Sequence, residues 1–174
     1  IACITAQTDR AVRQRDRVRS TWLGHANAQF MDGAVVAKFF LGIAVQSKAD
    51  IRKNTAVAPV SDQVLAEMKE FGDIVVVDAP DTYEGLINKV RTVLQWIDND
   101  REVEYVAKVD DDCYVNVAVL LAEIKKLPAT RTYFGHMMAG GKVLRTTRNG
   151  EPNLPRSMDW YPPYASGAGY ALSA

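Results

Sequence analysis

Apolar residues along this chain follow two alternating rhythms. Short runs rich in β-branched and aromatic residues are interleaved with stretches whose apolar positions fall at helical spacing, the pattern of βαβ units around a parallel sheet. Ile1 to Ala6 reads as a buried strand, and the Arg-rich segment after it is predicted helical as far as Trp22. Ala34 to Ile43, closed by Gly42, is the second expected strand. Val64, Leu65, Met68 and Phe71 then recur at helical spacing, with Ser61 placed to cap the helix and Gly72 to end it. Ile74 to Val77 is the third expected strand. Tyr83, Leu86, Ile87, Val90, Val93, Leu94 and Ile97 keep one face apolar and predict a helix from Tyr83 to Ile97, with Asp81 and Glu84 resembling a capping box. Val103 to Val109 completes the parallel set of strands. Asn116 is placed to cap a last helix carrying Val117, Leu120, Leu121, Ile124 and Leu127 before Pro128 stops it. Thr132 to Met138 and Lys142 to Thr146, joined by Ala139-Gly140-Gly141, predict a hairpin that turns the sheet antiparallel. From Thr147 to Pro163 the Arg, Asn, Gly and Pro content predicts a long irregular segment, and such loops tend to be functional.

Composition narrows the class. The 174 residues suit one domain, and 48% hydrophobic with 24% charged residues excludes disordered, collagen-like and disulfide-framework chains. The 21 Lys and Arg balance 21 Asp and Glu, so long-range attraction to nucleic acid or anionic lipid does not organise this molecule. No run of 18 apolar residues and no basic leader with an apolar stretch occurs, which leaves neither a membrane span nor a signal peptide within these residues. The chain opens on Ile1 and stops at Ala174 within an apolar stretch, so residues 1–174 read as a single, C-terminally incomplete domain of a longer protein. Cys3 and Cys113 lack the spacing of a zinc or redox motif; they read as two buried thiols, with a disulfide as the alternative.

The densest candidate chemistry is Lys108-Val109-Asp110-Asp111-Asp112-Cys113-Tyr114-Val115-Asn116. Three carboxylates at a strand end repel one another unless a cation neutralises them, and oxygen-only ligation suits a hard divalent ion. The blander reading is a solvated acidic turn before a capped helix. An EF-hand is excluded, because counting from Asp110 puts Val115 and Leu121 where Gly and Glu are needed. A phosphoaspartyl hydrolase fits poorly, since Tyr114 stands where a hydroxyl or small residue belongs. Arg10, Arg13, Arg15, Arg17 and Arg19 form a local basic run that suits a phosphate-bearing ligand, or else a solvated helix face. Nothing aromatic interleaves with these arginines, which argues against nucleic acid. In Tyr161-Pro162-Pro163-Tyr164-Ala165-Ser166-Gly167-Ala168-Gly169-Tyr170, glycines among tyrosines offer close backbone approach beside flat rings, a surface suited to sugars, or a Pro-stiffened turn entering a core strand.

Taken in order, these segments resemble the β-1,3-galactosyltransferase family, which includes β-1,3-N-acetylglucosaminyltransferases and is related to the Fringe enzymes. The resemblance runs through Arg15, Val18-Arg19 and Thr21-Trp22, then Phe39 to Gly42, Glu67 with Phe71-Gly72-Asp73, and Asp81-x-Tyr83 with Leu86 and Lys89. It continues through Trp96, the Lys108 to Asn116 run, Tyr133-Phe134-Gly135 and the Tyr161 to Tyr170 run.

The resemblance implies an α/β, Rossmann-like nucleotide-sugar domain of the GT-A glycosyltransferase type, its sheet mostly parallel with a late antiparallel hairpin. It implies inverting transfer of galactose or N-acetylglucosamine from a uridine diphosphate (UDP) sugar donor to an acceptor hydroxyl of a glycan, glycoprotein or glycolipid, forming a β-1,3 bond. Asp110 and Asp112 would hold Mn²⁺ or another divalent cation; Arg15, Arg19, Lys89, Asp110 and Asp111 would seat the nucleotide sugar; Tyr164, Ser166, Gly167 and Gly169 would border donor sugar or acceptor. The catalytic base is expected beyond Ala174, so this piece by itself is expected to be inactive. A Golgi enzyme with a luminal catalytic domain and an N-terminal anchor is implied for the whole protein. The alternative is a non-catalytic nucleotide-sugar or glycan-binding module of the same fold.

Overall fold

A computed structural model of the protein describes residues 1–25, 34–46, 59–99, 103–146, 150–151 and 154–174. Its chain order is β1 (Ala2–Ile4), α1 (Asp9–Val18), a π-helical turn (Arg19–Leu23), β2 (Lys38–Ile43), α2 (Asp62–Phe71), β3 (Ile74–Pro80), α3 (Leu86–Asp98), β4 (Tyr105–Asp110), α4 (Val117–Ile124), β5 (Tyr133–Met138) and β6 (Tyr164–Ser173). The strands form one sheet in the order β3-β2-β1-β4-β6-β5. β1 to β4 pair in parallel, whereas β6 runs antiparallel to both β4 and β5. This is the mixed α/β sheet expected of the GT-A type.

The continuous run Phe39-Phe40-Leu41 reflects burial on both faces of a parallel strand. On one face Cys3, Phe39, Leu41, Ile74 and Val109 pack against Val18 of α1, Trp22 and Leu23 of the π-helical turn, Val64 of α2 and Val117 of α4. On the other, Ile4, Phe40, Val77, Ala79 and Val106 pack against Val93 and Ile97 of α3. Helix ends follow their capping chemistry. Ser61 accepts from the Val64 amide at 3.3 Å, Gly72 closes α2 in the left-handed region at φ 65°, and Asn116 accepts from the Val119 amide at 3.1 Å. Asn116→Ala is expected to destabilise the fold by about 1 kcal/mol, read as a lowered urea midpoint at unchanged slope.

Five local expectations are corrected. The first strand after the Arg-rich helix begins at Lys38 rather than Ala34, while β3 extends to Pro80. No capping box forms at Asp81 and Glu84. α3 starts at Leu86 behind Gly85 with no side-chain cap, because the buried Asp81 carboxylate accepts instead from the Gln7 amide at 2.8 Å and from Lys89 Nζ at 2.5 Å. The buried Lys89 ammonium would be left unpaired without this carboxylate, a cost that exceeds the loss of one cap bond. Leu127 lies in a turn after α4, its amide donating to the Ile124 carbonyl. The hairpin partner of Thr132 to Met138 is not Lys142 to Thr146 but β6, with Gly135 opposite Tyr170; Lys142 makes only an isolated bridge to Trp160. β6 pairs on both of its edges, with β4 and with β5, while the shorter segment lies against the Asp159 to Tyr161 stretch outside the sheet. Within the irregular stretch, 147–149 and 152–153 lie outside the described residues.

Gly42 shows why a side chain is excluded at one strand end: a Cβ there would stand 2.3 Å from the Ala79 carbonyl oxygen. Its own carbonyl accepts from Gln7 Nε2 at 2.8 Å. Gln7 Oε1 also accepts from the Ser61 amide at 3.0 Å, so this one side chain ties the loop after β1 to the end of β2 and the start of α2.

Candidate functional site

The chain moves from β1 through β2 to β3 on one side of β1, then crosses to place β4 on the other. Open α/β sheets bind ligands in the crevice outside the carboxyl ends of the strands at such a switch point. The β1 and β4 register pairs Ile4 with Asp110, so the next residues, Thr5 and Asp111, leave the sheet side by side at that crevice. The candidate carboxylates therefore sit where the topology opens the sheet.

Each carboxylate has a different environment. Asp110 Oδ1 accepts from Lys108 Nζ at 2.5 Å, and the same ammonium, almost fully buried, also donates to the Gly167 carbonyl of β6. Lys108 thus neutralises Asp110 and joins β4 to the neighbouring antiparallel strand. Asp111 Oδ2 accepts from the Thr5 hydroxyl at 2.6 Å. Burial pushes the Asp111 carboxyl above its ordinary value, with the neighbouring Asp112 and Asp110 charges adding and the Thr5 bond and Arg15 opposing. Asp112 points outward, 57% exposed, with the exposed Arg10 guanidinium 3.9 Å away. The loop after the cluster is held from beneath by Trp22, whose indole donates to the Cys113 carbonyl at 3.1 Å. Cys3 and Cys113 are both free, and the Cys113 thiol lies 3.3 Å from the Ala168 carbonyl of β6.

The arginine run divides by helix face. Arg10, Arg13 and Arg17 are exposed, whereas Arg15 and Arg19, one turn apart, point inward. Arg15 has no exposed surface: Nε and Nη2 fork onto the two Glu67 oxygens at 2.8 and 2.5 Å, and Nη1 donates to Thr5 Oγ1 at 3.1 Å and the Ala6 carbonyl at 2.7 Å. Arg19 reaches Glu67 at 2.7 Å and forks onto Asp73 at 2.8 and 2.7 Å, with its guanidinium 4.0 Å from the Phe71 ring centroid. Burial alone would raise the Glu67 carboxyl, but hydrogen bonds from Arg15 and Arg19 outweigh it and hold the group below its ordinary value. Lys89, also buried, donates to Asp81 and to the Thr5 carbonyl at 2.8 Å. Arg15, Arg19 and Lys89 therefore stand behind the crevice as its internal framework.

Tyr164, Ser166, Gly167 and Gly169 all lie on β6, whose pairing with β4 brings Gly169 opposite Val109 and carries Gly167 to the same sheet end as the carboxylates. The Tyr161 and Tyr164 rings meet edge to face at 5.8 Å, and Tyr161 OH accepts from the Leu144 amide at 3.2 Å, bracing the loop before β6. A separate open groove of about 310 Å³, lined by residues including Lys142, Arg145, Asp159 and Trp160, is not lined by the carboxylate cluster. Thr5 and Gln7 were not singled out from the sequence. Their signal is modest: polar side chains immediately after an apolar strand that ends at the switch point.

Among the described residues, no three His, Cys, Asp or Glu side chains come together as a ready-made metal cage. A hard cation of the Mg²⁺ or Mn²⁺ type is usually held by one or two carboxylates while substrate phosphates and water complete its shell. Asp112, outward and weakly engaged, and Asp110 beside it have the appropriate oxygen chemistry.

Fold and crevice together define a GT-A-type α/β domain with an acidic cluster at its strand switch point. Residues 13–174 match the model of the Galactosyltransferase family, and the chain belongs to that family. It is 32% identical over its whole length to mouse (Mus musculus) beta-1,3-galactosyltransferase 6, of which it covers 51%. It is 31% identical to Arabidopsis thaliana hydroxyproline O-galactosyltransferase GALT6, with 92% of this chain and 22% of that protein covered. It is also 29% identical to mouse beta-1,3-galactosyltransferase 1 across the whole chain and 51% of that relative. The chain thus spans about half the length of the mouse relatives.

Proposed function

We propose that the protein is a UDP-sugar-dependent hexosyltransferase that moves galactose, or alternatively N-acetylglucosamine, onto an acceptor hydroxyl of a glycan, glycoprotein or glycolipid, forming a β-1,3 bond with inversion. The observation carrying this reading is the Asp110 to Asp112 cluster at the β1 and β4 switch point in a chain matched by the Galactosyltransferase family from residue 13 to 174. The names of the relatives support galactose as the sugar.

In the reaction the anomeric C–O bond to diphosphate breaks, the acceptor oxygen bonds to that carbon from the opposite face, and the hydroxyl proton passes to a base. Asp110 and Asp112 would hold Mn²⁺ or another divalent cation, which when bound supplies Lewis-acid stabilisation of the departing diphosphate. Asp111, anchored on Thr5, offers its carboxylate to the donor. The Gly167 to Gly169 backbone of β6, open at Gly167, borders the sugar, and Tyr164 flanks it. Removal of the acceptor proton is assigned to no residue of this chain. The family resemblance is the ground for proposing a Golgi-luminal location for the whole protein; no helix among the described residues is long and apolar enough to cross a membrane.

The test incubates the full-length protein with UDP-galactose or UDP-N-acetylglucosamine and a panel of glycan acceptors, with Mn²⁺ or with a chelator. The expected result is a β-1,3-linked galactosyl product that disappears on chelation. UDP-sugar binding without transfer to any acceptor would favour the binding-module reading.

A further inference from the structure

We infer that Thr5 is the positioning residue of the acidic cluster: its hydroxyl anchors one oxygen of Asp111, and Arg15, sealed beneath it, dictates which way that hydroxyl points. The inference rests on the nucleotide-sugar reading and deepens it.

The argument is one of donors and acceptors. Arg15 Nη1 lies 3.1 Å from Thr5 Oγ1, and a guanidinium can only donate, so the threonine oxygen must accept there. That leaves the single hydroxyl proton of Thr5 for Asp111 Oδ2 at 2.6 Å, a length suited to a charge-assisted O–H···O⁻ bond. Arg15 cannot swing away to reverse this order, because its other nitrogens are forked onto Glu67 and Nη1 also holds the Ala6 carbonyl. Glu67 is in turn shared with Arg19, which is forked onto Asp73. A continuous series of directed bonds therefore runs from the end of α2, through α1, to the crevice.

The backbone reinforces the placement. Thr5 is buried at the end of β1, its amide donating to the Phe40 carbonyl at 3.0 Å and its own carbonyl accepting from Lys89 at 2.8 Å. With Oδ2 of Asp111 taken by the hydroxyl, Oδ1 is the oxygen presented to a ligand, where it suits a hydroxyl-bearing group such as the ribose or sugar of the donor. Asp110 is anchored differently, by an ion pair with the buried Lys108 ammonium, whereas Asp112 has an exposed arginine at 3.9 Å. Thr5 thus preorganises Asp111 through a neutral hydroxyl, where Asp110 is held by a cation.

The experiment measures affinity for UDP in the presence of Mn²⁺ by calorimetry on the full-length protein. Thr5→Val fills the same space without the hydroxyl and is expected to weaken binding about tenfold, while Thr5→Ser restores it. In an Asp111→Ala background the Thr5→Val effect is expected to vanish, because the hydroxyl then has no carboxylate to hold. Unchanged affinity in Thr5→Val, a Thr5→Ser variant as weak as Thr5→Val, or a full tenfold loss persisting without Asp111 would each overturn the inference while leaving the functional proposal standing. Failure of the wild-type protein to bind UDP would overturn both.

Discussion

Glu67→Gln is expected to destabilise the protein by about 3–5 kcal/mol, the scale for removing one partner of a buried ion pair. Glu67 is 7% exposed and receives three hydrogen bonds from two guanidiniums. The amide keeps the shape but loses the negative charge, and its NH₂ group faces donors that need an acceptor. Arg19 retains Asp73, but Arg15, with no exposed surface, keeps only Thr5 and the Ala6 carbonyl. The pH dependence has a definite sign. Because the folded protein holds the Glu67 carboxyl below its ordinary value of about 4.5, its contribution is complete above that pH and is lost as pH falls through the lower folded value. The wild type should therefore lose stability on acidification below about pH 4.5, and the Gln variant should lack that part of the slope. Urea unfolding at pH 7 and at pH 3.5 measures both effects. A change below about 1 kcal/mol at pH 7 would show that Arg15 finds another partner, against its described geometry.

Asp112→Ala is expected to lower transfer by about 100- to 1,000-fold, the effect of withdrawing several kcal/mol of stabilisation from a departing diphosphate. Its stability should change little. Asp112 is 57% exposed and its ion pair with Arg10, itself 76% exposed, spans 3.9 Å; pairs of that kind contribute little. Asp110→Ala is a less clean experiment, since it strands the buried Lys108 ammonium. The measurement combines turnover with Mn²⁺ affinity and a thermal melt. Undiminished Mn²⁺ affinity in folded Asp112→Ala would return the cluster to a solvated acidic turn.

The two substitutions differ because neighbouring charges in the sequence have unrelated surroundings in the fold. Arg15 and Arg19 read as members of an exposed basic run with Arg10, Arg13 and Arg17. Helical periodicity hints that Ala11, Arg15, Val18 and Trp22 share a face, but only packing shows that this face is buried against the sheet. Once inside, the arginines must find carboxylates, and Glu67 and Asp73 are brought from more than forty residues away. Asp81 illustrates the same point from the opposite direction. Its local spacing with Glu84 suggests a helix cap, yet Lys89 and Gln7 claim the carboxylate.

The alternation of strands and helices, the parallel character of the sheet's first four strands, the caps at Ser61 and Asn116, and the Asp110 to Asp112 run at a strand end were all legible in the sequence. These are local matters, set by side-chain period, by cap chemistry and by where an apolar run stops. Only the tertiary structure decided that Thr5 lies beside Asp111, that β6 inserts between β4 and β5, and that Lys108 joins Asp110 to β6. Those outcomes depend on register between strands distant in the chain, and on charges that cannot remain unpaired once burial has removed their water.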